Sequence, residues 1–149
     1  MASLLRSLAL RLVGAWITEA THTMLPGVVI SGRSSVELLG VDGFLVHRTW
    51  YDHPEIPDAV SLVGQQQVHS FDARGVVRLF ALTVNADGWS MERPQRGEDF
   101  GQRMTWLVDH DGETVRGTSQ LSHDGVRWED DLEIVYTRPG IAGDRTTTS

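Results

Sequence analysis

The chain has 149 residues, enough for a single domain with a core of its own. Its formal net charge is −7 and it has no cluster of basic residues, which argues against nucleic acid and anionic membranes as partners. It contains no cysteine, and all 13 of its basic residues are arginine. This composition excludes disulfides, cysteine-ligated metals, Schiff-base lysines and phosphate-loop lysines.

The first thirteen residues predict an amphipathic helix. Four leucines share one helical face at spacings of three and four, namely Leu4, Leu5, Leu8 and Leu12. Two arginines interrupt the apolar run and no Ala-x-Ala cleavage site follows, so we expect a helix over 2–13 packed on the domain and not a signal peptide. The stretch is too short to span a membrane, and we expect a cytoplasmic protein.

After residue 14 the apolar residues recur with a period of 2, which predicts strands. Ten are expected: Ala15–Thr23, Val28–Leu39 with a break at Gly32, Phe44–Tyr51, Val60–Gln67, Val68–Phe71, Val76–Val84, Trp89–Arg93, Gln102–Val108, Thr114–Leu121 and Val126–Thr137. Successive strands joined by short turns predict an all-β, antiparallel up-and-down barrel, because open sheet edges invite aggregation. We expect one domain over 1–139 and a disordered tail over 140–149.

Asp-Gly pairs separate several of these strands. They occur at Asp42-Gly43, Asp87-Gly88, Asp111-Gly112 and Asp124-Gly125. Asp-Gly is a frequent hairpin-turn sequence, and we expect type I′ turns with positive φ at both central residues.

The two ends of the predicted barrel carry a recognisable pair of motifs. Gly14-Ala15-Trp16 directly follows the helix, and Tyr136-Thr137-Arg138 ends the last strand. The chain in this respect resembles the calycin barrels, the lipocalin-like and fatty-acid-binding-protein-like group. That resemblance implies that the tryptophan closes the barrel floor and that the arginine packs across its ring. First and last strands are neighbours in a closed barrel, so we expect Trp16 and Arg138 to be in contact.

The chain is also similar to a set of small bacterial barrel proteins. The similarity lies in Leu39-Gly40 through His47-Arg48, Asp52 to Asp58, Phe71 to Arg78 and Trp128 to Arg138. It covers most of residues 12–138 and implies a barrel with an internal cavity. The haem-binding nitrobindins resemble it distantly in shape, but their haem-ligand segment has no match in this chain. No cofactor is therefore predicted.

The segment from His47 to Asp58 combines histidines, carboxylates, aromatics and prolines. Pro54 and Pro57 bias the residues before them away from helix, which predicts a rigid loop over 52–58 at one mouth of the barrel. The spacing of its carboxylates and of His53 does not suit a metal, so no metal site is predicted. His110 and His123 precede Asp-Gly turns, and we expect them to be solvated.

The last strand suggests which of its faces is inward. Glu129, Asp131 and Glu133 alternate, so we expect that face in solvent and Trp128, Asp130 and Tyr136 inside. The inward Asp130 either pairs with Arg48 or Arg78 or acts as an acid or base. The acid–base candidates are Asp130, Glu19, His22 and His47. The ligand-binding candidates are Arg48, Trp50, His53, His69, Arg78, Met104, Trp106, Trp128 and Tyr136.

Two functions remain open for such a cavity. The first is the binding of a small apolar or aromatic molecule inside the barrel. The alternative is a cavity enzyme, for example an isomerase, cyclase or dehydratase of secondary metabolism that acts on a bulky apolar substrate. A carboxylate beside a histidine on a common void would favour the enzyme, and a lone Arg–Asp pair the binding protein. The expected partner is a small molecule, without nucleic acid or membrane, and the expected state is a monomer or homodimer.

Overall fold

Ten antiparallel strands form a closed barrel in the computed structural model, which describes residues 2–40 and 44–140. The elements are α1 Ala2–Leu12, β1 Gly14–His22, β2 Ile30–Leu39, β3 Phe44–Tyr51, β4 Ala59–Val63, β5 Gln67–Asp72, β6 Val77–Asn85, β7 Gly88–Arg93, β8 Gly101–Val108, β9 Thr114–Ser122 and β10 Glu129–Thr137. Each strand pairs with its sequence neighbours, and β1 pairs with β10. The predicted up-and-down barrel with an N-terminal helix is confirmed.

Parts of two predictions lie outside the described residues. The first Asp-Gly pair falls in 41–43, and most of the predicted tail falls in 141–149. The disordered tail therefore stays a prediction. No helix within the described ranges has the length and apolarity needed to cross a bilayer.

Helix α1 covers one end of the barrel with its leucine face. Leu5, Leu8 and Leu12 are buried in the same core cluster as the inward side chains of the strands. The helix ends where Gly14 takes a φ of 118°, a value that side chains rarely adopt, and a Cβ there would lie 3.0 Å from Arg138 Nη1. The glycine of the Gly-x-Trp motif is thus required by both backbone and space.

The floor of the barrel joins the first strand to the last. Trp16 is 2% exposed and donates a hydrogen bond from Nε1 to the Leu12 carbonyl at 2.8 Å. The Arg138 guanidinium lies 3.7 Å from the centre of the indole ring. It also donates to the carbonyls of Arg11 at 2.9 Å and Val13 at 3.1 Å, where the helix ends. The predicted contact between Trp16 and Arg138 is confirmed.

The prediction of type I′ turns is wrong for the three described Asp-Gly pairs. No non-glycine residue in the described ranges has a positive φ, whereas Gly112 and Gly125 do. Asp111 and Asp124 keep negative φ because their carboxylates accept backbone N–H groups further along the turn. Gly88 lies within β7 and pairs with the last residue of β6. In these turns the aspartate side chain, together with one glycine, shapes the chain.

Two strand ends differ from the prediction by three or more residues, and in both a hydrogen-bonded turn replaces the end of the strand. β4 ends at Val63 instead of Gln67, because the Gly64 amide bonds the Gln67 carbonyl at 2.8 Å and reverses the chain. β10 begins at Glu129 instead of Val126, because the Asp124 carboxylate holds the amides of the two residues before Trp128 in the turn. The expected break at Gly32 is absent, since this residue lies within β2 and pairs with both neighbouring strands.

Candidate functional site

The barrel contains a cavity of about 380 Å³ whose mouth lies at the end opposite α1. This volume is typical of small-molecule sites, which occupy roughly 300–1,000 Å³. Large apolar and aromatic side chains form much of its wall, among them Phe80, Trp89, Met91, Met104, Trp106 and Ile134. The inward side chains of the described strands leave this part of the barrel interior unfilled.

Two indoles of the cavity wall stack on each other. The rings of Trp89 and Trp106 are 5.1 Å apart and nearly parallel, at 9°. Trp106 donates from Nε1 to the Tyr136 hydroxyl at 3.3 Å. Gly117 makes room for this ring, because a Cβ there would lie 2.9 Å from the Trp106 indole nitrogen. The orientation of Trp106 is therefore set by a hydrogen bond on one side and a glycine on the other.

The deep end of the cavity is uncharged near neutral pH. His47 borders both the cavity and a void of about 30 Å³ beneath α1, and its Nε2 is 2.9 Å from Ser34 Oγ. Burial lowers the pKa of His47 to about 4, so the ring is neutral at pH 7. Burial raises the pKa of Tyr136 to about 12. Nearer the mouth, burial together with Tyr136 raises the pKa of Tyr51 above its usual range. These groups can exchange hydrogen bonds with a ligand without adding charge.

The mouth carries a histidine–carboxylate pair on β1 and β10. His22 Nε2 lies 2.6 Å from Asp131 Oδ1, and Ser119 Oγ lies 3.1 Å from Asp131 Oδ2. The Met24 amide donates to His22 Nδ1 at 3.0 Å, so Nδ1 is an acceptor and Nε2 carries the proton donated to Asp131. The Leu132 amide in turn donates to Ser119 Oγ at 3.1 Å. Every nitrogen of the ring and both carboxylate oxygens thus have a partner.

This pair stands where the barrel wall is irregular. Pairing between β9 and β10 shifts register between Asp130 and Glu133. His22 and Asp131 line both the cavity and an outer groove of about 490 Å³. They therefore separate the cavity from the outside at this point of the wall.

The predicted inward orientation of Asp130 is wrong. Asp130 is exposed and accepts a hydrogen bond from Gln120 Nε2 at 3.1 Å, and it pairs with neither Arg48 nor Arg78. The irregular pairing turns Asp131 inward in its place. A run of three acidic residues gives no alternation from which this shift could be read.

The opposite side of the mouth is rich in arginine. Arg78 and Arg93 lie against the ring of Phe100, with guanidinium carbons 4.9 and 5.2 Å from its centre.

The 52–58 loop contributes Glu55, Ile56 and Pro57 to the cavity lining, in agreement with the predicted rim. The loop is fixed to β3 by a hydrogen bond from the Tyr51 amide to Asp58 Oδ1 at 3.0 Å.

Six of the predicted site residues line the cavity together: His22, His47, Arg78, Met104, Trp106 and Tyr136. Their roles in binding or catalysis stay predictions. Many other residues of the cavity wall were not predicted, among them Tyr51, Ser61, Ser70, Phe80, Trp89 and Met91. Serine in a short, mixed strand gives no signal of its orientation, and only the facing of neighbouring residues could have indicated it.

Seven predicted site residues do not line the cavity: Glu19, Arg48, Trp50, His53, His69, Trp128 and Asp130. Alternation explains most of them, since buried Val68 places His69 outside and inward His47 places Arg48 on the other face. The expected inward orientation of Trp128 is wrong, because it precedes β10 and packs under the Arg103 guanidinium at 3.7 Å. His53 lies in the rim loop, where its Nδ1 accepts the Glu55 amide at 3.1 Å.

Within residues 2–40 and 44–140, no three histidine or acidic side chains group closely enough to hold a metal ion. The pair at the mouth consists of one histidine and one aspartate, and the next polar group on it is a serine hydroxyl.

Comparisons with known proteins bear on the fold. No protein-family model matches the chain, and no curated protein matches it. Among solved structures, Rv2717c from M. tuberculosis superposes with a TM-score of 0.62 at 15% identity, over 91% of this chain and 96% of that one. The S-type phycobiliprotein lyase CPES from Guillardia theta superposes with a TM-score of 0.52 at 6% identity, over 90% of this chain and 92% of that one.

The fold is that of a calycin-like barrel. At these identities the likeness extends to the fold alone. The calycin part of the resemblance drawn from Gly14-Ala15-Trp16 and Arg138 is thus supported, and the nitrobindin part stays a prediction.

Proposed function

We propose that the protein binds a small apolar or aromatic molecule inside the barrel. The observation that carries this proposal is the cavity of about 380 Å³ with stacked Trp89 and Trp106 on its wall. Apolar surface removed from water contributes about 25 cal/mol per Å², and an aromatic ligand would add ring contacts with the indoles. The protein named a phycobiliprotein lyase shares this barrel fold, which is compatible with a ligand-holding role.

N-phenyl-1-naphthylamine, an uncharged aromatic probe whose emission rises in apolar surroundings, tests this proposal. We expect saturable binding with energy transfer from the tryptophans. Gly117→Leu should weaken it, because the added side chain displaces the Trp106 ring and occupies cavity space. Gly140→Leu, at an exposed position outside the strands with open space around it, is the matched control for a glycine substitution outside the cavity. Absence of saturable binding to the wild-type protein would refute the proposal.

The cavity enzyme remains a second candidate because His22 and Asp131 face a common void. In this reading His22 orients the carboxylate, and Asp131 accepts a proton from the substrate. The full set of partners on both side chains favours a structural clasp, however, and we rank binding first.

Mass spectrometry of the molecules that co-purify with wild type and with Asp131→Asn separates the two functions. A binding protein should carry the same molecule in both. An enzyme should retain, in the variant, a substrate that differs in mass or structure from the molecule found with wild type. Asp130→Asn, next along the chain but outside the cavity, is the matched control.

A further inference from the structure

One side of the cavity carries a continuous row of polar side chains. His47 pairs with Ser61, Ser61 with Ser70, and Ser70 with Arg78, across β3 to β6. All four residues line the cavity. Because neighbouring strands lie about 4.8 Å apart, the row is about 14 Å long. It runs from His47 at the deep end to Arg78 at the mouth.

Most of this row has no hydrogen-bond or ion-pair partner among the described residues, although Arg78 lies against the Phe100 ring. Among residues 2–40 and 44–140, no hydrogen bond reaches the hydroxyls of Ser61 and Ser70, and Arg78 makes no ion pair. The Nε atom of Arg78 is buried and unpaired. A buried donor without an acceptor costs on the order of 1–3 kcal/mol, so such donors usually meet water or a ligand.

The charges around Arg78 leave it uncompensated. Asp99 already forms two hydrogen bonds with Arg93, at 2.8 and 2.9 Å, and Asp72 pairs with Arg74 at 2.7 Å. Burial first, and then the nearby Arg93, lowers the pKa of Arg78, as expected for a cation with too little negative charge around it. The guanidinium remains charged at neutral pH nevertheless.

The remaining carboxylates on the cavity wall do not neutralise this cation. Asp131 is bonded to His22 and Ser119 on β1 and β9. Glu55 lies on the exposed rim loop and forms no ion pair with Arg78 in the described part of the chain. In a protein with a net charge of −7, the cavity mouth therefore presents a cation towards the void.

We propose that the molecule bound in the cavity carries an oxyanion, a carboxylate, sulfonate or phosphate, which Arg78 holds at the mouth while the apolar body lies against the Trp89–Trp106 stack. This inference rests on the proposed binding function. A planar guanidinium donates two parallel hydrogen bonds to such groups, and the serine hydroxyls of the row can bond further oxygen atoms of the ligand.

Two probes with the same aromatic body test this inference. 8-Anilinonaphthalene-1-sulfonate carries a sulfonate, and N-phenyl-1-naphthylamine lacks it. We expect wild type to bind the sulfonate about tenfold or more tightly, since a hydrogen bond to a charged group contributes enough for that ratio. Competition between the probes should show one shared site.

Variants locate the source of the preference. Arg78→Gln should bring the ratio of the two affinities close to one, whereas Arg78→Lys should retain part of the preference because the charge remains. Arg116→Gln, an outward arginine with a 62% exposed side chain, should behave as wild type. Near-ultraviolet circular dichroism verifies that each variant is folded.

The outcomes are distinguishable. Equal affinities of wild type for the two probes, or a preference that survives Arg78→Gln, would overturn the oxyanion inference while binding in the cavity stands. Failure of both probes to bind wild type would instead overturn the proposed function. The wild-type comparison decides the first point even if a variant does not fold.

Discussion

The two ends of the barrel satisfy their polar groups in different ways. At the closed end, the Trp16 indole donates to a helix carbonyl, and Arg138 contacts both this ring and three further backbone carbonyls. At the open mouth, Arg78 lies inward with a buried nitrogen that bonds nothing in the described chain. The arginine at the closed end completes the protein's own structure, and the arginine at the mouth is the group that we propose holds the ligand.

From this difference we expect the closed end to determine stability and the mouth to determine ligand affinity. The closed end has contacts that a ligand cannot improve, so substitutions there should change the free energy of unfolding. The mouth has groups whose hydrogen bonds are incomplete, so substitutions there should change affinity. Three substitutions at different depths test this division.

Trp16→Ala should have the largest effect, because it removes a large buried aromatic and the surface on which Arg138 packs. We expect a loss of about 3–5 kcal/mol in the free energy of unfolding, measured by urea denaturation. Trp50→Ala is the control, since Trp50 is 38% exposed and carries a similar arginine contact on the outer face. Similar losses for both variants would contradict the role of the closed end.

His47→Gln should change how stability depends on pH. The pKa of His47 is about 4 in the folded protein and about 6.5 when unfolded, so the unfolded chain binds the extra proton first as pH falls. Stability from this group is complete above pH 6.5 and is lost between pH 6.5 and 4, by up to about 3 kcal/mol. Water in the cavity would reduce this value.

The free energies of unfolding of wild type and His47→Gln are measured by urea denaturation at pH 7 and at pH 4.5. The difference between the two proteins isolates the contribution of His47, because the carboxylates are the same in both. His69→Gln, on the outer face of β5, is the control. If both histidine variants lose stability in parallel with wild type on acidification, His47 is hydrated enough to be protonated in the folded state.

His53→Ala should have the smallest effect on stability. The residue lies in the rim loop, and exposed loop substitutions usually change the free energy of unfolding by less than about 0.5 kcal/mol. Pro54→Gly should act similarly by loosening the rim. Both should shift the affinity for the naphthylamine probes, because the loop supplies Glu55, Ile56 and Pro57 to the cavity wall. A large drop in the melting temperature with unchanged affinity would show a structural loop instead.

The architecture could be predicted because it depends on repeated local signals. Alternation and turn residues set ten strands, and the floor contact followed from the positions of Trp16 and Arg138 in the first and last strands. The type of turn was wrong, because a sequence pair does not state which backbone amides an aspartate side chain will accept.

The candidate site was only half predictable, because it depends on which face of each strand is inward. That choice is set by neighbouring strands and by irregularities such as the register shift before Glu133. Because of this register shift, Asp131 lines the cavity instead of the predicted Asp130. In β3 the inward face includes Tyr51 and not the predicted Trp50, which is 38% exposed. The serines of the polar row carry no mark in the sequence that separates an inward from an outward hydroxyl.

The pairing of β1 with β10, which forms the seam of the barrel, also determines when the barrel can close during folding. Ile17 pairs with Thr137, so the hydrogen bonds of β1 are complete only after β10 has paired with it. During synthesis from the N-terminus, nine strands can pair with their neighbours while both seam edges stay open, and such edges are where chains pair wrongly. Contacts of this sequence separation slow folding. A chain that lacks β10 would keep β1 as an unpaired edge, and the pairing of β10 with β1 is the step that closes the sheet into a barrel.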